Sequence, residues 1–130
     1  ELAAAMTSPS SVVPTGDARA AARLARGAGL LVTGRYHPAV FAVPAGVPTL
    51  GLSADGYTGI KLTGALGNFG QRAVLDYDEV LAGGTTAALD RLWAARSGVA
   101  ARAAALTPER RAASAAWWDR VAAVFARPLP

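Results

Sequence analysis

A chain of 130 residues, 52% of them apolar, is long enough for one domain with a buried core, and no apolar run approaches the roughly 18 residues that span a bilayer. The absence of cysteine excludes disulfide frameworks and thiolate metal sites, and a single histidine excludes a histidine cluster, so no metal centre is expected. Thirteen Lys and Arg against nine Asp and Glu leave a net charge of +4, an excess that favours anionic ligands; without aromatics interleaved among the arginines it does not point to nucleic acid. No basic-then-apolar leader is visible, and a cytoplasmic location is the default expectation.

The chain opens Glu1-Leu2-Ala3-Ala4-Ala5-Met6 on what reads as the tail of a helix, so the expectation is a C-terminal portion of a longer protein. Ser11 to Pro14 reads as a first short strand, and Asp17 caps a helix running to about Arg26. Arg19, Arg23 and Arg26 fall on one solvated face of that helix, opposite Ala20, Ala21, Leu24 and Ala28. Gly27 and Gly29 close it before a second strand at Leu30 to Thr33. Pro38 suits the first position of the next helix, because its fixed φ matches the helix and its missing N–H would have no partner there. That helix stops near Gly46, with Pro44 disturbing its last turn. A third strand follows at Thr49 to Ser53, then a turn at Asp55-Gly56, a helix from Tyr57 to Leu66, and a fourth strand at Ala73 to Asp76. Strands alternating with helices predict a parallel α/β sheet, with residues 1–77 as its core.

Residues 78–130 read as helices completing the same domain, interrupted at Gly83-Gly84, Ser97-Gly98 and Thr107-Pro108. Thr107 as N-cap and Pro108 in the first turn predict the start of a terminal helix. Trp117, Val121, Val124 and Phe125 share one stripe of it, for which burial is the simplest account. Trp118 cannot share the middle of that stripe, which implies a second surface to cover.

In open parallel sheets, ligands gather beyond the carboxyl ends of the strands. The loop Gly34 to His37 follows the second strand and Ser53 to Gly56 follows the third, so both should face one crevice. Arg35 can hold a phosphate or carboxylate with two parallel hydrogen bonds, and Lys61 adds a mobile point charge from the next helix. His37 is the candidate general acid, since imidazole gains and loses a proton near neutral pH. Asp55 reads either as a turn or helix cap or as a residue that orients a ligand hydroxyl or the Lys61 ammonium. Gly64, Gly67 and Gly70 recur at spacing three after a helix instead of a strand, so they read as helix-end and turn glycines, not a dinucleotide fingerprint.

The run from Leu30 through Thr33-Gly34-Arg35-Tyr36-His37-Pro38, then Phe41-Ala42 and Gly46-Val47-Pro48, to Ser53, Asp55 and Lys61 resembles the C-terminal signature of polysaccharide pyruvyl transferases. The resemblance covers about Val12 to Tyr77, and its core is an Arg-x-His pair after a buried strand. It implies a Rossmann-like parallel sheet with flanking helices and a helical tail, forming the C-terminal, donor-binding half of a glycosyltransferase-B-type architecture. The implied activity is transfer of pyruvyl from phosphoenolpyruvate to a saccharide hydroxyl, making a ketal in cell-wall or exopolysaccharide biosynthesis, with no cofactor beyond that donor. By resemblance His37 is the acid and Arg35 binds the donor, while Gly34, Tyr36, Ser53, Asp55 and Lys61 complete the substrate site. Its implied partners are an N-terminal domain contacted by the terminal helix and, peripherally, a membrane-linked glycan. The 130-residue chain alone should then be inactive, with an apolar face that favours homo-oligomers. Two alternatives stay open: half of a nucleotide-sugar glycosyltransferase, or a non-catalytic carbohydrate-related module of the same fold.

Overall fold

The computed structural model describes residues 2–13 and 16–126. After one helical turn, α1 (Leu2–Ala5), come α2 (Ala18–Gly27), β1 (Leu31–Thr33), and α3 (Tyr36–Ala42) with a 3₁₀ turn at Val43–Ala45. These lead into β2 (Thr49–Ser53), α4 (Gly56–Gly67), β3 (Val74–Asp76), α5 (Tyr77–Leu81), α6 (Gly84–Ala94) and α7 (Arg96–Phe125). The fold is mixed α/β: a small parallel sheet in the order β1-β2-β3, flanked by helices and followed by a helical C-terminal part. Thr33 pairs with Gly51 and Ser53 with Asp76, so the carboxyl ends of all three strands lie along one edge. Among the described residues no helix is long and apolar enough to cross a membrane.

Carboxylates start the helices that need a defined beginning. Asp17 accepts the Ala20 N–H at 2.8 Å and Asp55 the Thr58 N–H at 2.7 Å. Asp76 and Glu79 form a reciprocal capping box at the start of α5, satisfying two backbone donors that the helix cannot.

The strand order advances in one direction, so α3 and α4 lie side by side on one face of the sheet. Ala39 and Val43 pack there with Leu62, Ala65 and Leu66, against Phe69 and Val74. Gly51 is where α4 comes closest: a Cβ there would stand 3.3 Å from the Leu62 side chain and 3.2 Å from that of Val74. A second cluster of Ala25, Ala42 and Val47 joins α2 to the sheet through Ala28 and Leu31. Below the strands, Gln71 is buried and fully used. Its amide oxygen takes the Thr49 N–H at 2.9 Å and its NH₂ donates to the Val47 carbonyl at 3.0 Å. Buried polar groups are tolerated on those terms, and the pair of bonds ties the entry of β2 to the entry of β3.

Four expectations need correction. Ser11–Val13 form no strand and Val12 is 80% exposed, because no neighbouring strand offers these residues hydrogen bonds or cover; Pro14 lies outside the described residues. The helix after β1 starts at Tyr36, which puts Pro38 third in the helix, where its missing N–H still costs nothing. Pro44 does tighten the end of that helix, into the 3₁₀ turn, and Gly46 follows at φ +79. Glycine is required there twice over, since a Cβ would also come within 2.9 Å of Ala100 Cα in α7.

The other two corrections concern the tail. The interruption expected at Ser97-Gly98 falls two residues earlier, at Ala95 between α6 and α7, and Thr107-Pro108 makes none, since α7 runs unbroken for 30 residues. Instead of capping a new helix, Thr107 turns its hydroxyl back to the Ala103 carbonyl at 2.8 Å. The Trp117 stripe is not buried either, since the body of the fold ends before reaching it.

Candidate functional site

Thr33, the last residue of β1, sets the shape of the loop that follows. Its hydroxyl accepts the Arg35 N–H at 2.9 Å and donates to the Arg35 carbonyl at 3.0 Å. Both backbone groups of Arg35 are thereby engaged at the N-cap of α3, and its exposed guanidinium is left available to a ligand. On the neighbouring strand, the Ser53 hydroxyl donates to the Asp55 carbonyl at 2.6 Å, a matching lock on the loop that leads into α4.

Between the starts of α3 and α4 lies a cleft of about 280 Å³, lined by Gly34, Arg35, Tyr36, Tyr57, Thr58 and Lys61 over Leu62. The Lys61 ammonium stands 4.4 Å from the centre of the Tyr57 ring and 5.5 Å from that of Tyr36. Such contacts contribute about 0.5–1 kcal/mol at exposed sites, enough to orient a flexible side chain. Tyr57 and Lys61 are one helical turn apart on α4, so their contact follows from the sequence spacing. No carboxylate lines this cleft, which holds two cations and no compensating charge.

A second hollow adjoins it through the shared walls of Gly34 and Thr58, and takes in Leu52, Ser53, Asp76, Tyr77 and Val80. Asp55 opens onto its outer part together with Asp78. The Asp55 carboxylate is committed to capping: the Thr58 N–H, then the Thr58 hydroxyl, hold it below the ordinary value of 3.8. Among the described residues the one ion pair is Arg110 with Glu109, so Asp55 does not pair with Lys61.

The structure therefore gathers Gly34, Arg35, Tyr36 and Lys61 in one cleft, places Ser53 in the hollow beside it, and leaves Asp55 on the next hollow out, with Asp76 and Asp78. His37 lines neither. It is exposed, with its ring edge-on to Tyr36 at 5.7 Å, one aromatic ring away from the cleft. Tyr57, Thr58 and Tyr77 belong to the site as well; the Tyr57-Lys61 spacing was a legible signal, whereas Tyr77 reaches it only through strand pairing. Helix α3 has seven residues, so the attraction for an anion comes chiefly from the two side-chain cations and little from a helix dipole. The strand order does not reverse at this edge, so the site rests on loop convergence without a topological switch point. Among the described residues no group of three His, Cys, Asp or Glu side chains gathers as metal ligands. No protein-family model, curated protein or solved structure matches this chain.

Proposed function

We propose that this chain is the donor-binding half of a polysaccharide pyruvyl transferase, acting in the cytoplasm on cell-wall or exopolysaccharide units. The observation that carries the reading is the convergence of Arg35 and Lys61 in a carboxylate-free cleft, with His37 beside one wall of it. Phosphoenolpyruvate matches that arrangement, being a small polyanionic donor with two oxyanion groups, a carboxylate and a phosphate, and one carbon to be protonated. Arg35 would grip the carboxylate or phosphate in bidentate fashion and Lys61 would neutralise the other.

In this reading His37 swings past the Tyr36 ring to protonate the enol methylene, which makes the adjacent carbon electron-poor. A sugar hydroxyl then adds to that carbon and releases its proton. A second hydroxyl of the same sugar displaces inorganic phosphate, closing the ketal. The acceptor would enter over Ser53 and Tyr77, and the rest of its pocket would come from an N-terminal half in a glycosyltransferase-B-type pair.

The test is a calorimetric titration of phosphoenolpyruvate against a panel of nucleotide-sugars. Phosphoenolpyruvate should bind preferentially, and Arg35→Ala should weaken it by about 10- to 100-fold, the size of a lost hydrogen bond to a charged group. His37→Gln should keep donor binding while lowering turnover of the two-domain enzyme by about 10² to 10⁴. Preference for a nucleotide-sugar, or binding indifferent to Arg35→Ala, would overturn the assignment.

A further inference from the structure

The sheet is covered unevenly. Val74 turns toward α4, so strand alternation puts Ala73 and Leu75 on the opposite face, where Leu75 meets the start of α6 at Gly84. Helix α6 lies against β2, one strand over, and leaves the entry of β3 uncovered on that face. The result is a cavity of about 460 Å³ between the entry of β3, α6 and the first turn of α7. Alanines keep it open: Ala73, Ala88 and Ala95 stand where longer side chains would close it, while Leu75, Leu92 and Val99 supply apolar walls. Its volume falls in the range of small-molecule sites, and it shares no lining residue with the cleft that holds Arg35 and Lys61.

The charge on this cavity is of one sign. Arg72 from the β3 entry and Arg91 from α6 line it with exposed side chains, and no Asp or Glu does. Gly70 lines it too, at φ +75, and a Cβ there would run into the Arg102 side chain, so a third guanidinium crosses the backbone beside the same mouth. Among the described residues none of these three arginines has an ion-pair partner. Gln71 adds no free polar group to the wall, because both ends of its amide are engaged by Thr49 and Val47. An occupant that answers both features carries an apolar chain for the alanine-lined interior and one anionic head for the guanidiniums, which grip a carboxylate or phosphate through paired hydrogen bonds. A neutral chain would leave the cations unanswered, and a bare anion would leave the apolar walls in water.

We propose that this cavity is a binding site for an aliphatic anion, an unbranched chain ending in a carboxylate or a phosphate. The inference is independent of the chemistry assigned to the cleft. The full chain is titrated with decanoate and with decyl phosphate, both below their micelle concentrations, and binding is followed by the amide NMR signals of Ala73, Ala88 and Leu92. These signals should shift saturably, and the tighter ligand of the two names the head group. Decanol, which keeps the chain without the charge, and acetate, which keeps the charge without the chain, should each bind there at least about 10-fold more weakly. Arg72→Gln together with Arg91→Gln should weaken the anion by about 10- to 100-fold, the size of lost hydrogen bonds to a charged group, and leave decanol unchanged. Both arginines are exposed, so circular dichroism should show this variant folded as the parent is. Arg35→Ala, which acts on the other cleft, should leave the shifts as they are. Absence of any shift, equal affinity for decanol, an affinity untouched by loss of both arginines, or binding lost with Arg35→Ala would each overturn the proposal.

Discussion

The α/β body and the outer half of α7 are both rich in apolar side chains, yet only one of them is a core. In the body, Leu50 on the middle strand and Leu62 and Leu66 on α4 are completely buried, each covered by segments distant in sequence. In α7 no described residue beyond Ala103 is fully buried: Leu106 and Thr107 are partly covered, the Arg110 guanidinium donates to the Asn68 carbonyl at 2.9 Å, and further out the helix relies on its own backbone bonds. An apolar stripe therefore marks a surface that gains by being covered, without saying what covers it. Parallel strands draw their cover from their own crossover helices, whereas a helix that outruns the body leaves the task to another molecule.

The comparison breaks most readily at the core. Leu62→Ala should cost about 2–5 kcal/mol, because the side chain fills the space between Gly51, Val74 and α3 and cannot be replaced by collapse on all sides. Trp118→Ala, though it removes a larger side chain, should move monomer stability by no more than about 0.5 kcal/mol in dilute protein. Urea unfolding of both variants measures the difference. Equal losses would mean that the outer helix is part of the cooperative core after all.

A sharper probe of the boundary is Pro108. Having no N–H, it leaves the Ala104 carbonyl without its helical partner in the middle of α7. Pro108→Ala should stabilise the outer half against local opening by up to about 3 kcal/mol, seen as slower amide exchange from Arg110 to Arg120, while global unfolding stays nearly fixed. If global stability rises by the same amount, body and outer helix unfold as one unit.

Much of the body was legible because local rules and tertiary packing agree there. Thr49–Ser53 was placed to the residue, and the β1 and β3 strands to within one at their entries, since short apolar runs between breakers admit few other structures. Asp17 and Asp55 announced their helices by capping chemistry. The failures share a different cause. Ser11–Val13 has strand-forming residues but no strand to pair with, and pairing is a property of the whole fold. Thr107-Pro108 carries the signature of a helix start, yet the preceding turn was already helical and the Thr hydroxyl found the Ala103 carbonyl. At the site, residues on adjacent loops were foreseeable from strand order alone. That His37 stands beside Tyr36 outside the cleft, and that Lys61 lies over tyrosine rings instead of a carboxylate, depend on side-chain packing that no spacing rule encodes.

The smallest expected effect concerns how the two regions begin their helices. Helix α4 starts on Asp55, whose carboxylate accepts the Thr58 N–H, whereas α7 starts on Ala95 with no side-chain cap. The Thr58 hydrogen bonds favour the ionised form of Asp55, so its value in the folded chain lies below the 3.8 of an ordinary aspartate. Near that pH the unfolded chain binds more protons than the folded one, and stability must fall as the pH drops. The contribution is complete well above 3.8 and disappears as the pH falls through the lowered folded value. Asn at this position keeps a capping oxygen but has no charge to lose. Asp55→Asn should therefore be less stable than the parent at neutral pH, and the gap should close in acid. Repeating the comparison in molar salt separates the causes. A gap that survives belongs to the directed hydrogen bond at the cap, and one that collapses would show that the screened attraction of the α4 N-terminus for negative charge holds the carboxylate ionised.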